Sequence, residues 1–375
     1  MTAPFDVKAA ELITGPLRHE AELTAHPLTG DPFALEIDGT DLAVTFSEDW
    51  SPYVQASMSC KVPEDQEELD RLDPRKLCRV SINAGYTYPD NETEIFPLAD
   101  LHLRRRAVNR PSNLLELTAS SDESITQDYT WRADFPLMPT TGINEAVAWG
   151  LDFATIPHGY QLASAFGNGT DAADLAELAI GRGDSMWSML DEIATRTGRR
   201  IYCDEFGIWQ IRDRPELAGT PSHYLEVGAA GTLTDTSTEL SREGWFNEVY
   251  LRNGWKDGAG NDVLIIGSAA VTSGEFAVGT VGWKCFYHES DRPITQDAAN
   301  KAAATKLKNL VSRGRSLRLT AAAAYWLRPG MTVSVTLPSG APALCLIQAI
   351  TFHPLTGLMD ITTRQPLNVT ISTGE

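Results

Sequence analysis

The chain has 375 residues, 42% of them hydrophobic and 22% charged, which supplies a sizeable core and excludes a wholly disordered polypeptide. At roughly 150 residues per domain, this length gives two or three domains. Acidic side chains number 50 against 31 basic ones, a net charge of −19, so a nucleic-acid-gripping role is excluded unless basic charge is concentrated locally.

Charges from Asp6 to Glu22 interrupt the N-terminal segment, which lacks the apolar region of a signal peptide. The longest uncharged stretch, Pro329 to Met359, contains Pro338, Pro342 and Pro354 and alternates as strands do, so it reads as no membrane span. Cys60, Cys78, Cys203, Cys285 and Cys345 are scattered, without a C-x-x-C pair. They read as small buried hydrophobes in a reducing compartment, and no metal or other cofactor is expected.

The first hundred-odd residues carry a period of two. Leu42, Val44 and Phe46; Val54, Ala56, Met58, Cys60 and Val62; and Cys78, Val80, Ile82 and Ala84 alternate with polar neighbours, predicting half-buried strands. Glu64 to Asp73, acidic and bounded by Pro63 and Pro74, suits a short surface helix. Leu101, Leu103 and the Leu114–Leu117 run continue the strands to about Ser120.

Near residue 140 the period changes. Asn144 to Ala154 and Ala172 to Ile180 are helix-compatible, with Gly167-Asn168-Gly169 as a loop. Asp184 is a candidate N-cap for a helix with Met186, Leu190 and Ile193 on one face, and Gly198 stops it. A hairpin follows: Ile201 to Cys203, a turn at Asp204 to Gly207, then Ile208 to Ile211. Residues 245–252 read as another strand, and Thr295 to Arg313 as a helix with Ala299, Ala303, Leu307 and Leu310 on one stripe. Leu317 and Leu319, then Val333, Val335 and Leu337, return to alternation, with Pro329-Gly330 as a turn. The order is β, α/β, β: a β-rich α+β chain.

One pentapeptide occurs twice, His26-Pro27-Leu28-Thr29-Gly30 and His353-Pro354-Leu355-Thr356-Gly357. Proline fixes φ and glycine admits positive φ, so the same five residues suit the same hairpin in two duplicated β regions, or coincide as ordinary turn composition.

No catalytic constellation emerges. His19-Glu20 lacks the second histidine of a zinc motif, and Gly167 to Asp171 lacks the lysine and serine or threonine of a phosphate-binding loop. Asp90 to Glu94 lacks calcium-loop spacing, and no G-x-S-x-G is present. A carboxylate pair of the glycosidase type stays open, since acid-to-acid distance is not readable from sequence. Arginines cluster at Arg104-Arg105-Arg106 with Arg110, at Arg199-Arg200, and at Arg313, Arg315 and Arg318. In so acidic a chain these islands suit acidic surfaces of neighbouring subunits, making Arg104, Arg105, Arg106, Arg313 and Arg315 candidate subunit contacts.

From Asp184 onward the sequence resembles the tail hub (baseplate hub) proteins of long-tailed bacteriophages, especially minor tail proteins of phages of actinobacteria. The segments that carry the likeness are Trp187 to Ile193 with Thr197-Gly198, the hairpin Ile201 to Arg212, and Ser241-Arg242-Glu243 with Asn247 and Val249. Ala298 to Leu310, Pro329 to Val333, and Ile350 to Pro366 complete the series. The resemblance implies two tail-tube-like β-barrels with an α/β insertion: residues 1–120, 121–240, and 241–375, the last with a further insertion around 255–295 and a helix at 295–313. It implies a ring-forming homotrimer in the virion tail tip, made in the host cytoplasm. Its partners would be a distal tail protein ring, a tape-measure protein and other tail-tip proteins, with DNA only passing through. It also implies a structural role without catalysis. The rival readings are a cell-wall hydrolase and a carbohydrate-binding adhesin of the tail tip.

Overall fold

A computed structural model describes residues 7–13, 15, 17–134, 142–154, 159–163, 175, 178–228, 231–337, 340–365 and 369–374. No helix among them is long and apolar enough to cross a membrane. The predicted loop at Gly167–Gly169 and most of the helix predicted over Ala172–Ile180 lie outside the described residues.

A short helix α1 (Val7–Leu12) precedes strands β1 (Arg18–His26), β2 (Phe33–Leu35), β3 (Ile37–Ser47) and β4 (Val54–Lys61). Helix α2 (Gln66–Arg71) leads through a turn of 3-10 helix to β5 (Arg79–Thr87), β6 (Thr93–Asn109) and β7 (Leu114–Ser120). The period-two reading holds: Val54, Ala56, Met58 and Cys60 are buried, while Ser57 and Lys61 face water. Helix α2 starts where Asp65 accepts the Glu67 N–H at 2.8 Å, and it buries only Leu69, so its acidic face stays wet.

The middle of the chain forms α3 (Glu123–Asp128), α4 (Ile143–Ala154), β8 (Gln161–Leu162), α5 (Met186–Thr197), β9 (Arg200–Cys203) and β10 (Ile208–Arg212). These elements share a core of their own around Trp131, Val147, Leu151, Met189, Ile193 and Trp209. Gly150 lets α4 approach α5, since a Cβ there would come within 2.3 Å of the Met189 methyl. The N-cap of α5 is Ser185, not Asp184. Ser185 is extended and its hydroxyl accepts the Ser188 N–H at 3.0 Å, whereas the Asp184 carboxylate is drawn to Gly181 N and Arg292. Gly198 ends the helix at φ 70°.

The chain continues with β11 (His223–Glu226), β12 (Leu233–Leu240), β13 (Glu248–Lys256), β14 (Asp262–Val271), α6 (Val278–Val281), β15 (Cys285–Ser290) and α7 (Gln296–Val311). It closes with β16 (Arg315–Ala322), β17 (Thr332–Thr336), β18 (Ala343–His353), β19 (Leu358–Arg364) and β20 (Ile371–Thr373). The strand predicted over 245–252 begins three residues later. Asn247 instead closes a loop, its amide donating to the carbonyls of Phe276 and Gly282 and its oxygen accepting from Lys284 N. Helix α7 buries the predicted stripe Ala299, Ala303, Leu307 and Leu310 against the sheet β15-β13-β14-β20. At the contact, a Cβ on Gly267 would stand 2.2 Å from the Ala299 carbonyl oxygen, so only glycine admits this approach.

The two β regions do not form two closed barrels. Among the described residues they join into one open 13-stranded sheet, ordered β12-β16-β19-β18-β3-β4-β7-β6-β5-β1-β2, with β11 and β17 branching from β18. The join is the antiparallel pair β18–β3, from Ala349↔Ser47 to Phe352↔Val44. One hydrophobic core follows that join, running from Ala9 to Ile361, with the Phe46 and Phe352 rings edge to face at 5.9 Å. The physical reason is pairing across the seam: strands left with open edges in each β region complete their ladders on each other.

Both H-P-L-T-G segments close antiparallel hairpins, but different ones. Residues 26–32 connect the ladder pair Ala25↔Phe33, while 354–357 connect His353↔Leu358. Both glycines have positive φ, 96° at Gly30 and 70° at Gly357. Four of the cysteines are buried as expected, and Cys285 is exposed on an edge strand.

Candidate functional site

The β9–β10 hairpin meets the large sheet at a polar junction. Asp204 builds its tip: the carboxylate accepts from Phe206 N and Ile208 N at 3.0 Å each and from Gln210 Nε2 at 2.8 Å, and Gly207 completes the turn at φ 78°. Burial raises the Asp204 pKa, with these donors opposing it. The next residue, Glu205, accepts from Arg328 Nε at 2.7 Å. Arg328 also donates to the carbonyls of Tyr325 and Leu327 at 2.7 and 2.8 Å and lies 4.5 Å from the Phe46 ring centre.

Behind the hairpin, Glu123 is fully buried. Its carboxylate accepts from Ser51 Oγ at 2.7 Å, Tyr53 N at 2.8 Å and Cys203 N at 2.9 Å. Burial outweighs these donors and pushes its pKa up to about 7. Asp122, also fully buried, accepts from Arg79 Nη1 at 2.9 Å, while Arg79 bridges on to Asp100 at 3.1 Å. Arg200 stacks 4.2 Å from the Tyr202 ring centre and 4.8 Å from that of Tyr53.

A cleft of about 760 Å³ opens over this junction, walled by Tyr53, Tyr202, Phe206, Trp326, Arg200 and Arg328. Its chemistry is that of a clamp. Asp204, Glu205 and Glu123 are each held by fixed donors, and burial raises the Cys203 thiol pKa well above its ordinary value, leaving it a poor nucleophile. Among the described residues no three His, Cys, Asp or Glu side chains are grouped to hold a metal ion.

The predicted arginine islands do not converge. Arg104, Arg105 and Arg106 lie on β6, whereas Arg313 and Arg315 flank the start of β16, with β19, β18, β3, β4 and β7 between the two strands. Arg104 pairs with Asp128 through two bonds of 2.6 and 2.9 Å, Arg106 donates to the Leu69 carbonyl, and Arg313 pairs with Asp49 at 3.0 Å. Arg105 and Arg315 are exposed. Glu123, Asp122 and Arg328 were missed by sequence reasoning, since each is defined by partners far away in the chain.

No protein-family model and no curated protein sequence matches the chain. Solved structures do. The 43 kDa tail protein of prophage MuSo2 from Shewanella oneidensis is 12% identical with a TM-score of 0.58, covering 92% of this chain and 98% of its own. A tail protein from Neisseria meningitidis is 13% identical with a TM-score of 0.60, covering 92% and 96%. The prophage tail protein gp18 from Listeria monocytogenes is 11% identical with a TM-score of 0.54, covering 92% and 95%. A chain of the Francisella PdpA-VgrG complex matches at 8% identity and a TM-score of 0.52, covering 95% of this chain but 59% of its own. The chain has the fold of these phage tail proteins.

Proposed function

We propose that the protein is a structural component of a phage tail, a hub that joins the end of the tail tube to the tip apparatus and contributes to the DNA channel. The observation that carries this reading is the whole-chain likeness to prophage tail proteins, which spans 92% of this chain and 95–98% of theirs. The hub works as a homotrimeric ring between a distal tail protein ring and other tail-tip proteins, with the tape-measure protein as a further neighbour. Catalysis and cofactors have no part in it; the junction acids serve as clamps. Of the five arginines proposed as subunit contacts, Arg104, Arg106 and Arg313 already hold partners within the chain. Arg105 and Arg315 reach outward and carry the larger share.

Imaging of the intact particle tests the reading. Three copies in a ring at the tail tip are expected; a different copy number or a location in the head overturns it. Loss of turbidity from purified cell walls treated with the protein would favour the hydrolase instead.

A further inference from the structure

The C-terminal half of α7 forms a concavity of about 920 Å³ with the 213–217 segment and Arg364. Arg214, Lys308 and Arg364 line it against Asp213 and the exposed Glu216, and its positive charge is unevenly compensated. Arg364 is held by Glu48 through bonds of 3.1 and 2.9 Å, and Arg199 at the rim is held by Asp213. Arg214 and Lys308 line the concavity and make no ion pair among the described residues. Arg214 Nε is buried and has no hydrogen-bond partner among them. Burial lowers the Arg214 pKa; Glu48, Asp49 and Asp191 oppose this at a distance, and Arg200 adds to it. Arg214 as a whole is half-buried, but an Nε–H shut off from water without an acceptor is costly, and a carboxylate supplied from outside would reduce that cost.

The same chain carries a matching surface that cannot reach this place. In residues 64–73, Glu64, Asp65, Glu67, Glu68, Asp70 and Asp73 stand against the single cation Arg71, and α2 buries only Leu69. Strand β4 starts beside Glu48 and Asp49, where Ser47 N bonds Tyr53 O, and ends at Lys61, just before α2. Eight residues of strand put roughly 27 Å between the two surfaces. Complementary patches at opposite ends of one molecule meet only between molecules, in a heterologous contact that a rotation can close into a ring.

We propose that the Arg214–Lys308 concavity receives the acidic α2 segment of a second copy of this chain. The proposal rests on the ring reading above and names one of its contacts. The test is sedimentation velocity and chemical cross-linking of the full chain, up to its highest soluble concentration. The variants are Arg214→Glu with Lys308→Glu, Glu64→Lys with Glu68→Lys, and all four together, with circular dichroism as the check on folding. Each reversal is expected to weaken self-association by about tenfold or more, added salt to weaken the unmodified chain, and the four-fold swap to restore association. Association that ignores both reversals, or a swap that fails to restore it in a folded chain, overturns the contact. A chain that stays monomeric throughout overturns it too. The ring reading is judged apart from this, by the copy number in the particle.

Discussion

Arg328 donates from Nε to Glu205 Oε1 at 2.7 Å across 123 positions of sequence, tying the loop before β17 to the tip of the β9–β10 hairpin. The side chains are 18% and 11% exposed, so neither charge is well solvated. Removing the arginine strands a buried carboxylate and frees two carbonyls. Arg328→Met is expected to cost about 3–5 kcal/mol in urea unfolding, and Arg328→Met with Glu205→Gln distinctly less than the sum of the single changes. Additive losses would show that the pair does not hold the junction.

Two further ion pairs separate burial from mere proximity. Arg364–Glu48 is 10% and 5% exposed, whereas Arg104–Asp128 is 37% and 61% exposed. Both have two short bonds, so the difference lies in solvent. Glu48→Gln is expected to destabilise by about 3 kcal/mol and Asp128→Asn by less than about 1 kcal/mol, with added salt affecting only the second pair. Equal costs would contradict the burial argument.

The repeated pentapeptide predicts unequal effects from one substitution. Both glycines hold positive φ, which costs an L residue about 1–2 kcal/mol. At Gly30 a new Cβ meets the movable Arg71 guanidinium at 2.9 Å, but at Gly357 it strikes the His19 ring at 2.3 Å. That ring is fixed by Tyr325, whose hydroxyl lies 2.9 Å from Nδ1. Gly357→Ala is therefore expected to lower the melting temperature well beyond Gly30→Ala.

What the sequence revealed was local. The alternation at Val54–Cys60, the alanine stripe of α7, the stop at Gly198 and the 204–207 turn each depend on neighbours within a few residues. The N-cap of α5 shifted by one because Asp184 and Ser185 are both good caps and only tertiary contacts, here Arg292, choose between them. The β18–β3 seam had no signal, because two half-buried strands look alike whichever strand they pair with. Glu123 and Asp122 left no signal for the same reason: their donors Cys203, Tyr53 and Arg79 are remote in sequence. The arginine islands, separate in sequence, stay separate in the fold, since β6 and β16 have five strands between them.

Glu123 gives the chain a pH dependence whose sign is fixed. Its carboxyl, ordinarily near 4.5, is raised to about 7 in the folded protein, burial outweighing the donors Ser51, Cys203 and Tyr53 and the charge of Arg200. Below pH 4.5 the group is protonated whether the chain is folded or not, and it costs nothing. Between 4.5 and 7 the unfolded chain loses this proton while the folded chain keeps it, so stability falls as pH rises. Above 7 both states are ionised and the loss is complete, at about 3 kcal/mol. Urea unfolding across this window is expected to show the stability of the unmodified protein declining relative to Glu123→Gln, then running parallel to it above pH 7. Should Glu123→Gln not fold, carbon NMR of the labelled carboxyl in the unmodified chain reports the same quantity. A Glu123 midpoint near 4.5, or a stability difference that does not change with pH, would mean that the three donors offset burial fully and that the clamp holds a permanent carboxylate.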